Sequence, residues 1–197
     1  MARREFTIRR HGGRRAGAGR KPTGSRRNMP HRPRALHDGR APAHVTLRAV
    51  SLPVSLRNAS LFPVVRAALA RASGAAFRVV AFSVQRDHVH LVVEADTPPA
   101  LARGVQGLAV RVAKRVNALL GRRGALWGDR YHARDLTSPR AVRNALVYVL
   151  QNRRKHGDAE GPRFDPCSSA RWFPGWTHRV EAAPTAPVVT ARTWLGR

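Results

Sequence analysis

At 197 residues the chain has room for one domain with a hydrophobic core, plus flanking segments. Lys and Arg total 37 against 11 Asp and Glu, a formal charge of +26 at pH 7, so self-repulsion opposes compaction and a polyanionic partner relieves it. The lone Cys167 excludes an intramolecular disulfide framework and fits a reducing cytoplasm, and no apolar run approaches the roughly 20 residues of a membrane span.

In chain order, residues 1–42 form a distinct block with a net charge of +11, interrupted by glycines and prolines and poor in apolar residues. This composition reads as a flexible basic arm able to track phosphates. The domain is expected over residues 43–157, and residues 158–197 read as an irregular C-terminal tail whose first half packs through Phe164, Trp172, Phe173 and Trp176. His44 to Val50 alternates like a strand. Leu61 to Ala72 has helical spacing behind Ser60 as a candidate N-cap. Phe77 to Val84 and His88 to Glu94 read as strands joined by a hairpin at Gln85, Arg86 and Asp87.

Pro99 opens a long helix to about Leu120, closed by Gly121. Its apolar stripe is Leu101, Val105, Leu108, Val112, Val116 and Leu119, while Arg103, Arg111, Lys114 and Arg115 fall largely on the other side without interleaved acids. Those four, with Arg130 and Arg134 further on, are the candidate DNA contacts. Leu126 to Leu136 reads as a bent strand or hairpin, and Ser138-Pro139 opens a last helix to about His156. The order β-α-β-β-α-β-α is α+β and ferredoxin-like: an antiparallel sheet with helices packed on one face.

Three features bear on chemistry. His88 and His90 stand two apart in an apolar strand, so both imidazoles project from one face and can reach one ion. By composition alone, nine histidines in this length give an H-x-H somewhere with an expectation of roughly 0.4, so the pair is a weak signal in isolation. Tyr148 and Asn152, four apart in the last expected helix, share a helical face. Finally, Tyr131 and Tyr148 are the only tyrosines, so a tyrosine nucleophile has two addresses.

Together the strings QRDHVHLVVE, LWGDRYHARDL and RNALVYVLQNRRKHG, with a basic helix after the first, resemble the single-tyrosine HUH transposases, especially the REP-associated tyrosine transposases and their insertion-sequence relatives. The resemblance runs from about His44 to Gly157. It implies a metal-dependent transposase and endonuclease of bacterial cytoplasm that cleaves and rejoins single-stranded or hairpin DNA through a 5′-phosphotyrosine. On the matching positions, His88, His90 and Asn152 hold a divalent ion, Mg²⁺ or Mn²⁺, and Tyr148 attacks. Arg153 stands where the family often has proline, which leaves Gln151 as a competing third ligand. Two neutral imidazoles and an amide give the ion no negative charge, so binding without DNA is expected to be weak.

A non-cutting hairpin binder and an RNA-binding module of the same fold are the rival readings. The second is disfavoured because the strands offer Phe77 and Phe82 but no dense aromatic pattern. A structural zinc protein would need more than one paired ligand motif. The sequence is compatible with a monomer or a homodimer.

Overall fold

The computed structural model describes residues 36–152, 164–177, 180 and 185–193. The expected order is observed: β1 (Ala43–Arg48), α1 (Leu61–Ala70), β2 (Phe77–Val84), β3 (His88–Ala95), α2 (Pro98–Leu119), β4 (His132–Asp135) and α3 (Pro139–Leu150). The four strands form one sheet in the order β2-β3-β1-β4, antiparallel throughout. The chain is thus α+β with the ferredoxin-like sheet. The expected basic arm lies outside the described residues as far as residue 35. Residues 36–42 sit against the domain, where His37 is buried and its ring bonds Asp135 at 2.7 Å and the Ala95 carbonyl at 3.0 Å.

Strand alternation divides the sheet into two chemically different faces. Val45 and Leu47 of β1 and Val89, Leu91 and Val93 of β3 point to the face covered by α1 and α2, in one core with Val65, Leu69, Val105 and Val112. The intervening residues, His44, Thr46 and Arg48 on β1 and His88, His90 and Val92 on β3, point the other way. A bulge between Val79 and Ala81 switches the parity of β2, so that Phe82 and Val84 join the first core while Ala81 turns to the second face. That second face receives α3, through Val142, Ala145 and Val149 against Ala81 and Val92. The two crossover helices therefore share a face, and the third helix lies across the opposite one.

Helix ends follow local chemistry. The Ser138 hydroxyl caps α3 by accepting from the Ala141 amide at 3.2 Å, as its place before Pro139 implies, and Thr97 does the same for α2 through Ala100. Ser60 does not cap α1: it already has helical dihedrals, and the Asn58 carbonyl receives the Leu61 and Phe62 amides instead. Gly121 takes φ +60° just past α2, the left-handed turn its glycine allows. Leu119, expected in the apolar stripe, is half exposed, because the buried stripe ends at Val116.

Gly104 on α2 lies directly against the Phe77 ring: a Cβ built there would come within 2.2 Å of it. Gly104→Ala should therefore lower stability by about 1–3 kcal/mol, although alanine is the better helix former. A urea unfolding midpoint at or above that of the parent would show that Phe77 can give way.

The stretch Leu126–Gly128 pairs with the end of β1, through Val50 to Leu126 at 2.8 Å and Gly128 to Arg48 at 3.0 Å. After a two-residue slip between the Ala49–Trp127 and Thr46–His132 pairs, the chain rejoins the same strand as β4. The expected bent strand is thus two short pairings on β1. Trp127, weighed above as a base-stacking or core residue, packs against the core and donates its indole N–H to the Ala109 carbonyl at 2.9 Å.

Segments after α3 close the edge of β2. Ser168 bridges Ser83, the Val84 amide donates to Cys167 at 2.8 Å, and the Val189 amide donates to Val79 at 3.0 Å. Phe164, Phe173 and Trp176 pack at the second core. Glu94 on β3, fully buried, accepts from Arg78, from the Arg192 amide, and from the amide and hydroxyl of Thr193. Covering an edge strand in this way removes a template for pairing with other chains.

Candidate active site

The antiparallel register sets Thr46 opposite His90 and Arg48 opposite His88, and His44 opposite Arg134 on its other flank. Directly paired residues share a face, so β1, β3 and β4 together present His44, Thr46, Arg48, His88, His90, His132 and Arg134 on the side that carries α3.

On that face Tyr148 meets the histidines. Its hydroxyl lies 3.3 Å from His90 Nε2, and the two rings stand edge to face with centroids 5.0 Å apart. On the far side of the His90 ring, Nδ1 lies 3.1 Å from the Thr46 hydroxyl. With Nδ1–H donating to Thr46, Nε2 is left to accept the Tyr148 proton. The His88 and His90 rings are 4.7 Å apart, edge to face. His88 Nδ1 is 2.7 Å from Asp87 Oδ1, and among the described residues its Nε2 meets no hydrogen-bond partner. A carboxylate on one imidazole nitrogen fixes the tautomer and raises the basicity of the other, as at many metal-binding histidines. Burial pushes the Asp87 carboxyl upward. The His88 hydrogen bond and the Arg48 charge outweigh it and hold the pKa below the ordinary range. Asp87 reads from sequence only as a turn residue.

Asn152 differs from expectation in one respect. The last helix was expected to run on to about His156, but α3 ends at Leu150 with Gln151 as its C-cap, and residues from 153 lie outside the described residues. After that break at Gln151, Asn152 is again helical, at the limit of the described residues. It is nonetheless fully buried, and neither its Oδ1 nor its Nδ2 has a hydrogen-bond partner among the described residues. Gln151, the rival ligand, is half exposed. A buried amide without partners is costly and in a folded protein needs an explanation.

His44 is the residue that sequence reasoning passed over, as merely the start of a strand. Its ring lies 5.3 Å from that of His90 and 5.8 Å from that of Tyr148, edge to face with the tyrosine. Its Nε2 is buried and has no hydrogen-bond partner among the described residues. Burial, reinforced by the charges of His132 and Arg134, pushes its pKa below the ordinary histidine value. The available signal was parity: His44 and Thr46 alternate with Val45 and Leu47 just as His88 and His90 alternate with Val89 and Leu91.

The six candidate DNA contacts separate. Arg134 is exposed on β4 beside His44, on the Tyr148 face, and Arg130 precedes it in the loop before β4. Arg103, Arg111, Lys114 and Arg115 sit on α2, which packs on the opposite face, so they do not join the site. Tyr131 packs against the first core, away from the imidazoles.

The face thus holds a tyrosine hydroxyl and the imidazoles of His44, His88, His90 and His132. Among the described residues no group of three or more His, Cys, Asp or Glu side chains is arranged to hold a metal ion. Nor is any helix among them long and apolar enough to cross a membrane.

No curated protein matches the chain. Among solved structures, a REP-associated tyrosine transposase bound to a REP hairpin is similar in fold: TM-score 0.55 at 15% identity, covering 74% of this chain and 81% of that one. The sequence model of the IS200-like transposases matches residues 66–152, a span that contains His88, His90, Tyr148 and Asn152. Over these residues, and in this fold, the chain is similar to the IS200-like transposases.

Proposed function

We propose that this protein is a metal-dependent single-strand DNA transposase that cleaves and rejoins DNA through a 5′-phosphotyrosine on Tyr148. The observation that carries the reading is the 3.3 Å approach of the Tyr148 hydroxyl to His90 Nε2, which puts a nucleophile against the paired imidazoles. The structural relative is bound to a hairpin, and the +26 charge of this chain suits the same class of partner. Arg134 lies on the side of the sheet where a scissile strand would enter, and Arg130 is in the loop that leads to its strand. The α2 arginines would hold DNA on the opposite face, and the charge of the basic arm suits the same partner.

The donor set fits a divalent ion. Among the described residues His88 Nε2 has no hydrogen-bond partner, its ring being backed by Asp87, and the buried Asn152 amide has none either. With His90 Nε2 these would hold Mg²⁺ or Mn²⁺. When bound, the ion polarises a non-bridging phosphate oxygen and neutralises charge developing at phosphorus. All three donors are neutral, so ion affinity should be low until a DNA phosphate supplies the missing charge.

In the reaction the Tyr148 oxygen forms a bond to phosphorus as the bond from phosphorus to O3′ breaks. The tyrosyl proton leaves, and the 3′ oxygen ends as a hydroxyl. The link conserves the phosphodiester's energy, so a 3′-hydroxyl attacking the phosphotyrosine rejoins DNA without ATP.

The test is incubation with labelled single-stranded hairpin DNAs and Mn²⁺, followed by denaturing gel electrophoresis. A slow-migrating protein–DNA adduct that requires the divalent ion is the expected result. Tight binding of the same DNAs with no adduct would replace this reading with a non-cutting hairpin binder.

A further inference from the structure

The polar face carries one ion pair that stability does not explain. Arg48 donates to Asp87 Oδ2 at 2.9 Å, with 60% of its side chain and 40% of the aspartate's exposed. A pair this open to solvent contributes little to folding. Other arginine–carboxylate pairs among the described residues sit deeper: Arg57 holds the buried Asp165, and the buried Arg78 holds the buried Glu94. Arg48 stands directly opposite His88 in the register of β1 and β3, so both side chains project from the face that carries Tyr148. One carboxylate grips both: Asp87 Oδ1 lies 2.7 Å from His88 Nδ1 while Oδ2 accepts from Arg48. The Asp87 carbonyl also accepts the Ala49 amide at 2.7 Å, so the turn that supplies the carboxylate is tied to β1 beside Arg48. A guanidinium has five N–H donors, and among the described residues this one uses a single bond. The result is a fixed cation with donors to spare at the edge of the imidazole pair.

We propose that Arg48 is a DNA-binding residue that clamps the backbone phosphate next to the one Tyr148 attacks, with Asp87 holding the guanidinium in register with His88. The proposal rests on the reading that a scissile strand crosses this face. The choice of the neighbouring phosphate follows from the direction of the contacts. They leave His88 by Nδ1, whereas Nε2 is the nitrogen offered to the ion and the reacting phosphate. Arginine suits the task because its planar fork meets phosphate oxygens with two parallel hydrogen bonds. A hold on the adjacent phosphate sets the strand's register, so that one bond rather than its neighbours is presented to Tyr148.

The experiment compares wild type, Arg48→Ala and Arg48→Lys on a fluorescent hairpin DNA with a single-stranded flank. The same DNA is also made as a set in which one flank phosphate at a time is replaced by an uncharged methylphosphonate. Without divalent ion, the Kd should rise about tenfold in Arg48→Ala, the loss of one charge-assisted phosphate contact. The plot of log Kd against log salt should become shallower by about 0.7, the share of one single-strand phosphate. Arg48→Lys should recover the salt slope but only part of the affinity, because an ammonium keeps the charge without the fork. One methylphosphonate, a single step from the phosphate that forms the adduct, should weaken wild type about as much as Arg48→Ala does. The same replacement should leave Arg48→Ala nearly unchanged, since the two losses are one contact. With Mn²⁺ and saturating DNA, adduct formation in Arg48→Ala should stay within about threefold of wild type. The Mn²⁺ affinity of the free protein, read by electron paramagnetic resonance, should not change.

An unchanged Kd, or methylphosphonate losses that add to the Arg48→Ala loss at every position, would overturn the proposal in favour of an exposed ion pair with no DNA contact. Weaker Mn²⁺ binding in Arg48→Ala would overturn it in favour of a role exerted on the ion through Asp87 and His88. A tenfold or greater fall in adduct formation at saturation would take the contact off the neighbouring phosphate and put it on the reacting one. The binding arms need no cleavage, so a protein that shows the Arg48 pattern and forms no adduct would sink the proposed function and leave the phosphate contact standing.

Discussion

Tyr148→Phe should abolish the covalent protein–DNA adduct, a loss on the order of a thousandfold or more, while Tyr131→Phe keeps it within about threefold. Two tyrosines make this a complete test, because any phosphotyrosine must sit on one of them. The structure separates them by environment. Tyr131 packs against the first core at the slip before β4, where a phosphodiester would have to displace apolar neighbours. Tyr148 presents its hydroxyl to His90 on the polar face. Removing the Tyr148 oxygen deletes its hydrogen bond to His90, worth about 1 kcal/mol, and the variant should fold and still bind hairpin DNA. The adduct would be read on denaturing gels and its site by mass spectrometry of the protease-resistant peptide. An adduct that persists in Tyr148→Phe and vanishes in Tyr131→Phe would move the nucleophile to β4 and undo the assignment built on α3.

The order of elements was legible because each carries its own period. Alternation marked β1, β2 and β3, helical spacing marked α1 and α2, and Ser138-Pro139 marked the start of α3. The His88–His90 pair was legible for the same reason, since a two-residue step in a strand fixes a common face. Long-range register was not. His44 meets His90 only because β1 pairs antiparallel with β3 in one particular alignment, and nothing local in either segment states that alignment. A helical stripe likewise reveals which residues are exposed but not which side of the sheet the helix covers. The α2 arginines read as a DNA-facing row, and the structure puts them behind the sheet from Tyr148. The break in the helix at Gln151 was hidden by the sequence, because Gln151, Asn152 and the residues after them contain no proline or glycine before Gly157.

The described residues after 163 had little periodicity to read, since apart from a single 3-10 turn at Ala170–Trp172 they are held by hydrogen bonds to β2 and by a buried carboxylate. This gives the site a rigid back wall. His90 and Glu94 lie on the same face of β3, four residues apart, with Val92 between them beneath α3. The strand that carries the imidazoles is thus clamped by α3 and by the C-terminal segment, and on the proposed function such pre-organisation would reduce the entropy lost when an ion or DNA binds.

Glu94 is the centre of that clamp, and Glu94→Ala should lower unfolding stability by about 3 kcal/mol, a large share of a domain's usual margin. The carboxylate is fully buried, pairs with the buried Arg78 guanidinium at 3.2 Å, and accepts the Arg192 and Thr193 amides at 2.8 and 2.9 Å. Its removal leaves Arg78 with Asp96 and the Ala75 carbonyl, and leaves two backbone donors without acceptors. Glu94→Gln keeps one acceptor and should cost less, about 1–2 kcal/mol. Urea unfolding would rank the three proteins, and hydrogen exchange at the Arg192 and Thr193 amides should speed in the order of the losses. The pH dependence follows from the same contacts. Burial pushes the Glu94 carboxyl upward, but the Thr193 hydroxyl, the Arg192 and Thr193 amides and the Arg78 guanidinium together bring its pKa below the ordinary glutamate value. A carboxylate depressed on folding contributes stability that is present above its unfolded pKa, about 4.3, and is lost as pH falls through the folded value. The stability gap between wild type and Glu94→Gln should therefore be full at pH 7 and close in acid below about pH 4. A gap that stayed constant down to the acid transition would mean that the Glu94 charge does not hold the C-terminal segment, and that the hydrogen-bond geometry alone does.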